Sequence, residues 1–136
     1  MSAAGVQAVQ AVYDAWNTGG LEAAMQAVPE DIRWETPPES PEPEVVQGRQ
    51  AAGESMGNWL EEWGSLEISD LVLEDFGDRV LASLTQQATG RSSGAVVEGR
   101  LFMVWTDEQG KLTRMQMFLD ERQARDAAGA GRSQGA

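Results

Sequence analysis

The sequence predicts an α+β fold in which helices gather on one face of a curved antiparallel sheet. The first half of the chain places apolar residues mainly at helical spacing, and the second half reads as four long strands in succession. The run of residues 96–119 holds the densest apolar and aromatic content. Helices followed by a block of strands are typical of the α+β class. With 136 residues, we expect one domain over 1–129 and a disordered tail at 130–136.

Two helices are predicted at the start of the chain. Apolar side chains recur at helical spacing over residues 6–16, and the pattern ends at the Asn-Thr-Gly-Gly of residues 17–20, a helix C-terminal signal. The same spacing returns over residues 21–28 and is closed by Pro29. We therefore expect a helical pair joined by a glycine turn.

A brief strand over residues 32–36 and a third helix over residues 48–63 should follow. Between them lies a Pro- and Glu-rich tract, whose prolines exclude regular ladder hydrogen bonds. Because this tract comes directly after the strand, we predict that residues 37–44 form a mobile lip beside a pocket.

Four antiparallel strands are predicted next. Residues 66–75 and 79–88 read as one hairpin, and residues 96–119 read as a second hairpin with a tight turn at 107–110. At the end of the last strand, Asp120 with Gln123 three residues later resembles a capping box, which predicts a final helix over residues 121–128.

The strand beginning near residue 101 is apolar on both faces. One alternate set is Leu101, Met103 and Trp105, and the other is Phe102 and Val104. If helices cover Phe102 and Val104, the other stripe needs a different cover. We therefore expect a homodimer in which a second copy of the chain buries the Leu101, Met103 and Trp105 stripe.

Composition argues against several classes of partner. The formal net charge is −12, from 22 acidic and 10 basic residues, which disfavours binding to nucleic acid or to an anionic membrane surface. There is no cysteine, no apolar run long enough for a membrane helix, and no signal-peptide pattern at the start. We expect a cytoplasmic protein.

The chain contains no histidine. This excludes a Ser-His or Cys-His nucleophile and His-ligated zinc, so acid–base work would fall to carboxylates, Tyr13, Lys111 or water. We expect neither a metal nor another cofactor.

Four segments and their order carry a resemblance to a known family. They are the helix end AWNTGG, the strand IRWETP, the helix start GRQA, and VWTDEQGKLTRMQMFLDERQARDAAG near the C-terminus. Over about residues 5–129 the chain resembles the SnoaL-like branch of the NTF2-like superfamily. The resemblance implies a cone-shaped half-open barrel, three helices packed on the concave face of the sheet, an apolar pocket, and dimerisation through the other sheet face.

The superfamily's best-known catalytic constellations are absent. At the positions that match the catalytic groups of ketosteroid isomerases and limonene epoxide hydrolases, this chain has Val12, Thr36, Phe102, Thr85, Gln86, Gln87 and Met117. Any activity would use other residues.

Glu35 and Glu62 are the candidate catalytic pair. The resemblance to the superfamily supplies a precedent for this pair. Its epoxide-opening cyclases have one carboxylate after the first strand and one on the third helix. Burial beside Trp59 and Trp63 would raise the pKa of Glu62. Strand parity turns Glu35 away from the pocket, so the alternative for Glu35 is a solvated strand residue. The alternative for Glu62 is an ordinary charged residue at the edge of a helix.

The candidate ligand-binding residues combine aromatic side chains with polar groups on central strands. Tyr13 lies on the inward face of the first helix, where a core tyrosine with a satisfied hydroxyl is the alternative. We expect the pocket to be lined by Tyr13, Trp34, Thr36, Trp59, Gln86, Arg100, Phe102 and Met117.

Two functions remain open. The first is a cofactor-free isomerase, cyclase or epoxide-opening enzyme that acts on a small lipophilic molecule by carboxylate acid–base catalysis. The second is a non-catalytic dimeric module that binds a small apolar ligand.

Overall fold

A computed structural model describes residues 3–37, 45–61, 63–90 and 93–129, without the side chains of residues 3, 59, 60 and 63–66. It confirms the α+β class. In chain order the elements are α1 (Ala3–Gln26), β1 (Arg33–Glu35), β2 (Val45–Gln47), α2 (Arg49–Glu61), β3 (Trp63–Asp75), β4 (Arg79–Gly90), β5 (Val96–Glu108), β6 (Lys111–Phe118) and α3 (Glu121–Ala128). None of the described helices is long and apolar enough to cross a membrane.

Helix α1 consists of two helical segments that meet at Gly20. This residue has φ 75° and ψ −157°, a combination that essentially only glycine adopts. The predicted pair of helices is therefore present, with the glycine as its break. Val9 and Tyr13 before the break and Ala24 and Met25 after it all pack into the same core.

The six strands form one sheet in the order β2-β1-β6-β5-β4-β3. Strands β3 to β6 are the predicted antiparallel meander. Strand β1 pairs in parallel with β6, placing Trp34 beside Met115, and antiparallel with β2, placing Trp34 beside Val46. The short strand β2 was not predicted, since three residues after a Pro-rich tract carry too little periodicity. The rest of the predicted lip, residues 38–44, lies outside the described part.

The two faces of β5 are covered within one chain, and here the sequence interpretation was wrong. Leu101, Met103 and Trp105 are buried on the side that α1 covers. Phe102 and Val104 pack on the opposite face in a cluster with residues of α3. The stripe assigned to a second subunit is thus internal, because a helix covers each face. The homodimer itself stays a prediction, to be checked by sedimentation.

Helix α3 is held in place at its start, its end and its side. The Asp120 carboxylate accepts a hydrogen bond from the Gln123 backbone N–H at 3.1 Å, as the capping pattern predicted. Gly129 ends the helix in the left-handed conformation. Arg125 donates two hydrogen bonds to the Glu74 carboxylate on β3, at 3.0 and 2.8 Å. These contacts fix α3 on the sheet face opposite α1.

Candidate functional site

A cavity of about 320 Å³ lies between α1, α2 and the sheet. Its walls are mainly aromatic and aliphatic. Helix α1 supplies Val12, Tyr13, Trp16, Leu21, Ala24 and Met25, and α2 supplies Ser55 and Met56. The sheet and the residues that flank its strands supply Trp34, Thr36, Pro37, Ile68, Gln86, Leu101, Met103, Trp105, Met117 and Leu119.

Local sequence patterns explain how each element reaches the cavity. On the second segment of α1, Leu21, Ala24 and Met25 stand at i, i+3 and i+4, and so share one face. The break at Gly20 lets this segment form its own part of the wall. On β5, alternation sends Leu101 and its period-two neighbours to the cavity side. The cavity therefore depends on the helix break and on strand register together.

Three aromatic rings form a connected row along the cavity. Tyr13 meets Trp105 edge to face with ring centroids 6.2 Å apart, and Trp105 meets Trp34 edge to face at 6.0 Å. Perpendicular contacts of this kind are one of the two favoured arrangements of aromatic pairs, the other being offset stacking. The row joins α1 to β5 and β1 and forms the aromatic part of the cavity wall.

The Tyr13 hydroxyl is fully engaged. It donates to the sulfur of Met103 at 2.7 Å and accepts from the Nε1–H of Trp105 at 3.2 Å. Burial raises the pKa of Tyr13 well above its ordinary value, although the hydrogen bond from Trp105 acts in the opposite direction. Tyr13 is therefore neutral at physiological pH and has a structural role. This matches the alternative given in the sequence analysis, a core tyrosine with a satisfied hydroxyl.

The polar groups on the cavity wall are few and uncharged. Thr36 and Ser55 contribute hydroxyls and Gln86 contributes an amide, and no Asp, Glu, Lys or Arg is among the described lining residues. The indole N–H of Trp34 is buried without a hydrogen-bond partner in the part of the chain that the structure describes. A charged ligand group would lose its hydration here without gaining a counter-ion from these residues. The wall therefore suits a neutral ligand.

Glu35 does not face the cavity. Its carboxylate accepts hydrogen bonds from Arg114 at 2.6 Å and from Arg33 at 2.9 Å. Partial burial alone would raise the pKa of Glu35, but the hydrogen bonds from Arg114 and then Arg33 outweigh it and hold the pKa below its ordinary value. This carboxylate is ionised and ion-paired at neutral pH, which makes it a weak base. Its predicted partner, Glu62, lies outside the described residues.

Most of the predicted ligand-binding residues line the cavity. They are Tyr13, Trp34, Thr36, Gln86 and Met117. The side chain of Trp59 is outside the described part of the structure.

Phe102 and Arg100 are corrections to the predicted pocket. Phe102 packs with residues of α3 on the opposite sheet face. The Arg100 guanidinium lies 5.6 Å from the centre of the Phe102 ring, and its Nε donates to the Leu84 carbonyl at 3.2 Å. Because Leu101 points into the cavity, both of its sequence neighbours must point away.

The sequence analysis missed the methionines and much of the aliphatic wall. Met25, Met56 and Met103 line the cavity together with the predicted Met117. Methionine is unbranched and polarisable, so it adapts to irregular or aromatic surfaces. Their clustering was not visible in the sequence, since the four lie on different elements. Met25 and Met56 stand at helical spacing with other apolar residues, and Met103 alternates with Leu101 and Trp105, but these patterns mark a buried face without telling a cavity from a packed core.

Solved structures of the same fold include proteins from several sources. An NTF2-like protein of unknown function from Burkholderia pseudomallei is 19% identical, with a TM-score of 0.75 over 94% of this chain and 98% of that one. TerC, co-crystallised with polyporic acid, is 19% identical with a TM-score of 0.74, over 91% and 97% of the two chains. A Xanthomonas campestris protein provisionally classed as a polyketide cyclase is 21% identical with a TM-score of 0.70, over 88% and 93%.

At sequence identities of 19% to 21%, the similarity to these solved structures establishes the fold alone. None of the curated proteins compared with this chain matches it significantly. The profile of the SnoaL-like domain matches residues 9–115, which is most of the chain. The protein therefore belongs to the SnoaL-like domain family, within the NTF2-like fold.

Proposed function

We propose that the protein binds a small lipophilic molecule inside the cavity and acts as a ligand-binding module. The observation that carries this proposal is a cavity of about 320 Å³ without a charged side chain among its described lining residues. Ligand sites in proteins begin at about 300 Å³ and are mostly apolar with a few polar groups. Protein interiors are otherwise close-packed, so an apolar void of this size is destabilising unless a ligand fills it.

The chemistry of the wall indicates an aromatic or alicyclic ligand. Trp16, Trp34 and Trp105 offer ring faces and edges, and the methionine sulfurs make favourable contacts with aromatic rings. TerC, a protein of the same fold, was co-crystallised with polyporic acid. That precedent supports a small-molecule role without fixing the ligand of this chain.

The second candidate is a cofactor-free acid–base enzyme such as an isomerase, cyclase or epoxide-opening enzyme. The similarity to a protein provisionally classed as a polyketide cyclase favours keeping it. Such an enzyme needs a carboxylate at the cavity, and Glu35 is ion-paired with Arg33 and Arg114 instead. The enzymatic hypothesis therefore rests on Glu62.

A neutral fluorescent probe, N-phenyl-1-naphthylamine, tests the binding function. Its emission rises when it enters an apolar site, and we expect saturable binding to the full chain. Ala24→Phe should weaken binding by about tenfold or more, because the new ring enters the cavity that Ala24 lines. Gln26→Phe is the matched control, since Gln26 is exposed on the same helical segment.

Met56→Trp provides a second way to fill the cavity if Ala24→Phe disturbs folding, because Met56 lines the cavity from α2 and is only partly buried. Circular dichroism checks the fold of each variant. Equal binding by the parent and by both folded cavity variants would contradict the proposal, as would the absence of binding by the parent.

Glu62→Gln tests the enzymatic alternative. If Glu62 is the acid–base group, the variant should lose turnover of a substrate while Glu61→Gln, a change in the exposed neighbouring carboxylate, keeps it. Titration of Glu62 near the ordinary glutamate pKa of about 4.3, with unchanged ligand binding in the variant, would leave only the binding function.

A further inference from the structure

The cavity contains two indole groups with opposite hydrogen-bonding states. The Trp105 Nε1–H has an acceptor, the Tyr13 hydroxyl, at 3.2 Å. Trp34, whose ring meets Trp105 edge to face, is only 3% exposed, and its Nε1–H has no acceptor among the described residues. Both side chains line the cavity. The Trp105 N–H is thus hydrogen-bonded within the fold, and the Trp34 N–H has no acceptor among the described residues.

A buried donor without an acceptor is unfavourable, because folding removes its hydrogen bond to water without replacing it. Native proteins leave few such groups. Tryptophan can only donate, so an acceptor must come from outside its own side chain. Strand β1, which contains Trp34, is paired with β2 on one edge and β6 on the other. Backbone carbonyls in these ladders already accept hydrogen bonds from the neighbouring strands.

We propose that the Trp34 Nε1–H is the specificity-determining donor of the cavity, and that the ligand is an aromatic or alicyclic molecule whose uncharged hydrogen-bond acceptor, such as a ketone or quinone carbonyl, reaches it. This inference rests on the proposed binding function and narrows its ligand class. The remaining wall supports it in two ways. The apolar and methionine-rich surface accommodates a hydrocarbon frame. Without a charged group among the described lining residues, the wall disfavours a carboxylate in place of the carbonyl.

Fluorene and 9-fluorenone test the proposal as a matched pair. They share one rigid tricyclic frame, and only fluorenone carries a carbonyl. Isothermal titration calorimetry gives the ratio of their dissociation constants for each protein. We expect the parent to favour fluorenone by about tenfold, which is the order of one hydrogen bond to an otherwise unpaired buried donor.

Trp34→Phe removes the indole N–H and keeps an aromatic ring. In this variant the preference for fluorenone should fall to about threefold or less, while Phe76→Leu, a change in an aromatic residue packed on the opposite sheet face, should retain it. Comparing ratios between proteins cancels the difference in hydration between the two probes. The ratio thus isolates the contact between the carbonyl and the Trp34 N–H.

A direct readout uses the parent protein labelled with ¹⁵N at the tryptophan indoles. Fluorenone should shift the Nε1–H resonance of Trp34 downfield, as expected when this proton gains an acceptor, and fluorene should not. This measurement also stands if Trp34→Phe is too unstable to titrate.

The outcomes separate this inference from the proposed function. If both probes bind and the preference is the same in Trp34→Phe, or the Trp34 resonance responds equally to both, the ligand class is wrong and the binding function stands. If neither probe binds the parent, the proposed binding function fails, and this inference fails with it.

Discussion

Trp105 donates its indole N–H to the hydroxyl of Tyr13 at 3.2 Å, although 92 positions separate the two residues in the chain. The bond joins helix α1 to strand β5 at the wall of the cavity. The same hydroxyl donates to Met103, two residues before Trp105 on that strand. A single phenol group therefore fixes the helix against two neighbouring residues on one face of β5.

Tyr13→Phe should destabilise the protein by about 1–3 kcal/mol, because it leaves the buried Trp105 N–H without its acceptor. Urea unfolding followed by circular dichroism measures this change. Thr18→Val is a control on the same helix, since its exposed hydroxyl donates to the carbonyls of Asp14 and Ala15 in α1 itself. A loss in Tyr13→Phe no larger than in the control would show that the hydroxyl contributes little.

The stability of the protein should fall at alkaline pH because of Tyr13. Its pKa is raised in the folded state, whereas in the unfolded chain it is about 10. The contribution of the neutral hydroxyl is thus complete below about pH 10 and is lost as pH rises through the folded-state pKa. Tyr13 is the only tyrosine, so absorbance at the tyrosinate band reports it alone. Ionisation of the folded protein at the ordinary tyrosine pKa would contradict this prediction.

Gly20→Ala should destabilise the fold by about 1–3 kcal/mol, because alanine is strained at φ 75° and ψ −157°. An added Cβ would meet nothing within 4 Å, so the cost comes from the backbone alone. Gly99→Ala is the matched control, since its Cβ also meets nothing and its φ is not positive. We expect that variant to be neutral or slightly stabilised. Similar unfolding midpoints for the two variants would argue against a fixed break at Gly20.

Glu35→Gln should lower stability at neutral pH and have less effect in acid. The folded-state pKa of Glu35 is below its ordinary value, so its contribution is present above about pH 4.3 and is lost as pH falls through the folded-state pKa. The effect should be at most about 1 kcal/mol, because solvent screens the pair. Unfolding curves at several pH values measure it. Asp31→Asn, which removes the exposed pair with Lys111, should change nothing measurable.

Asp120→Ala should cost about 1 kcal/mol, because it removes the acceptor for the Gln123 N–H at the start of α3. Arg122→Ala, an exposed position on the same helix, serves as the control. Thermal unfolding monitored by calorimetry compares the two. Asp120→Asn should retain most of the stability, since asparagine also caps helices. Equal losses in the alanine and asparagine variants would point to a role other than capping.

The sequence predicted those features that depend on neighbours along the chain. Strand alternation predicted the meander, glycine predicted the break in α1, and the spacing of Asp120 and Gln123 predicted α3 with the bounds found in the structure. Each of these patterns involves residues close together in the chain, so it predicts secondary structure without knowledge of the tertiary packing.

Features that depend on which face meets which helix could not be predicted in this way. Alternation on β5 separated Met103 from Phe102 correctly, but nothing in the strand itself says that α1 covers the first and α3 the second. The same ambiguity placed Phe102 in the pocket and assigned the opposite stripe to a dimer. Pairing of β1 with β6 joins distant segments, so it too left no local pattern.

The parallel pairing of β1 with β6 also has a consequence for how the protein is made. Arg33 aligns with Arg114, so two segments separated by most of the chain must meet before β1 has its place in the sheet. Contacts of such long sequence separation form slowly, since a large loop must close first. Trp34 and Met117, which belong to these two adjacent strands, come together in the cavity wall only after the ribosome has released the last strand. A nascent chain that stops before β6 would carry α1, α2 and five of the six strands, yet lack the strand that joins β1 to the rest of the sheet and completes the cavity wall.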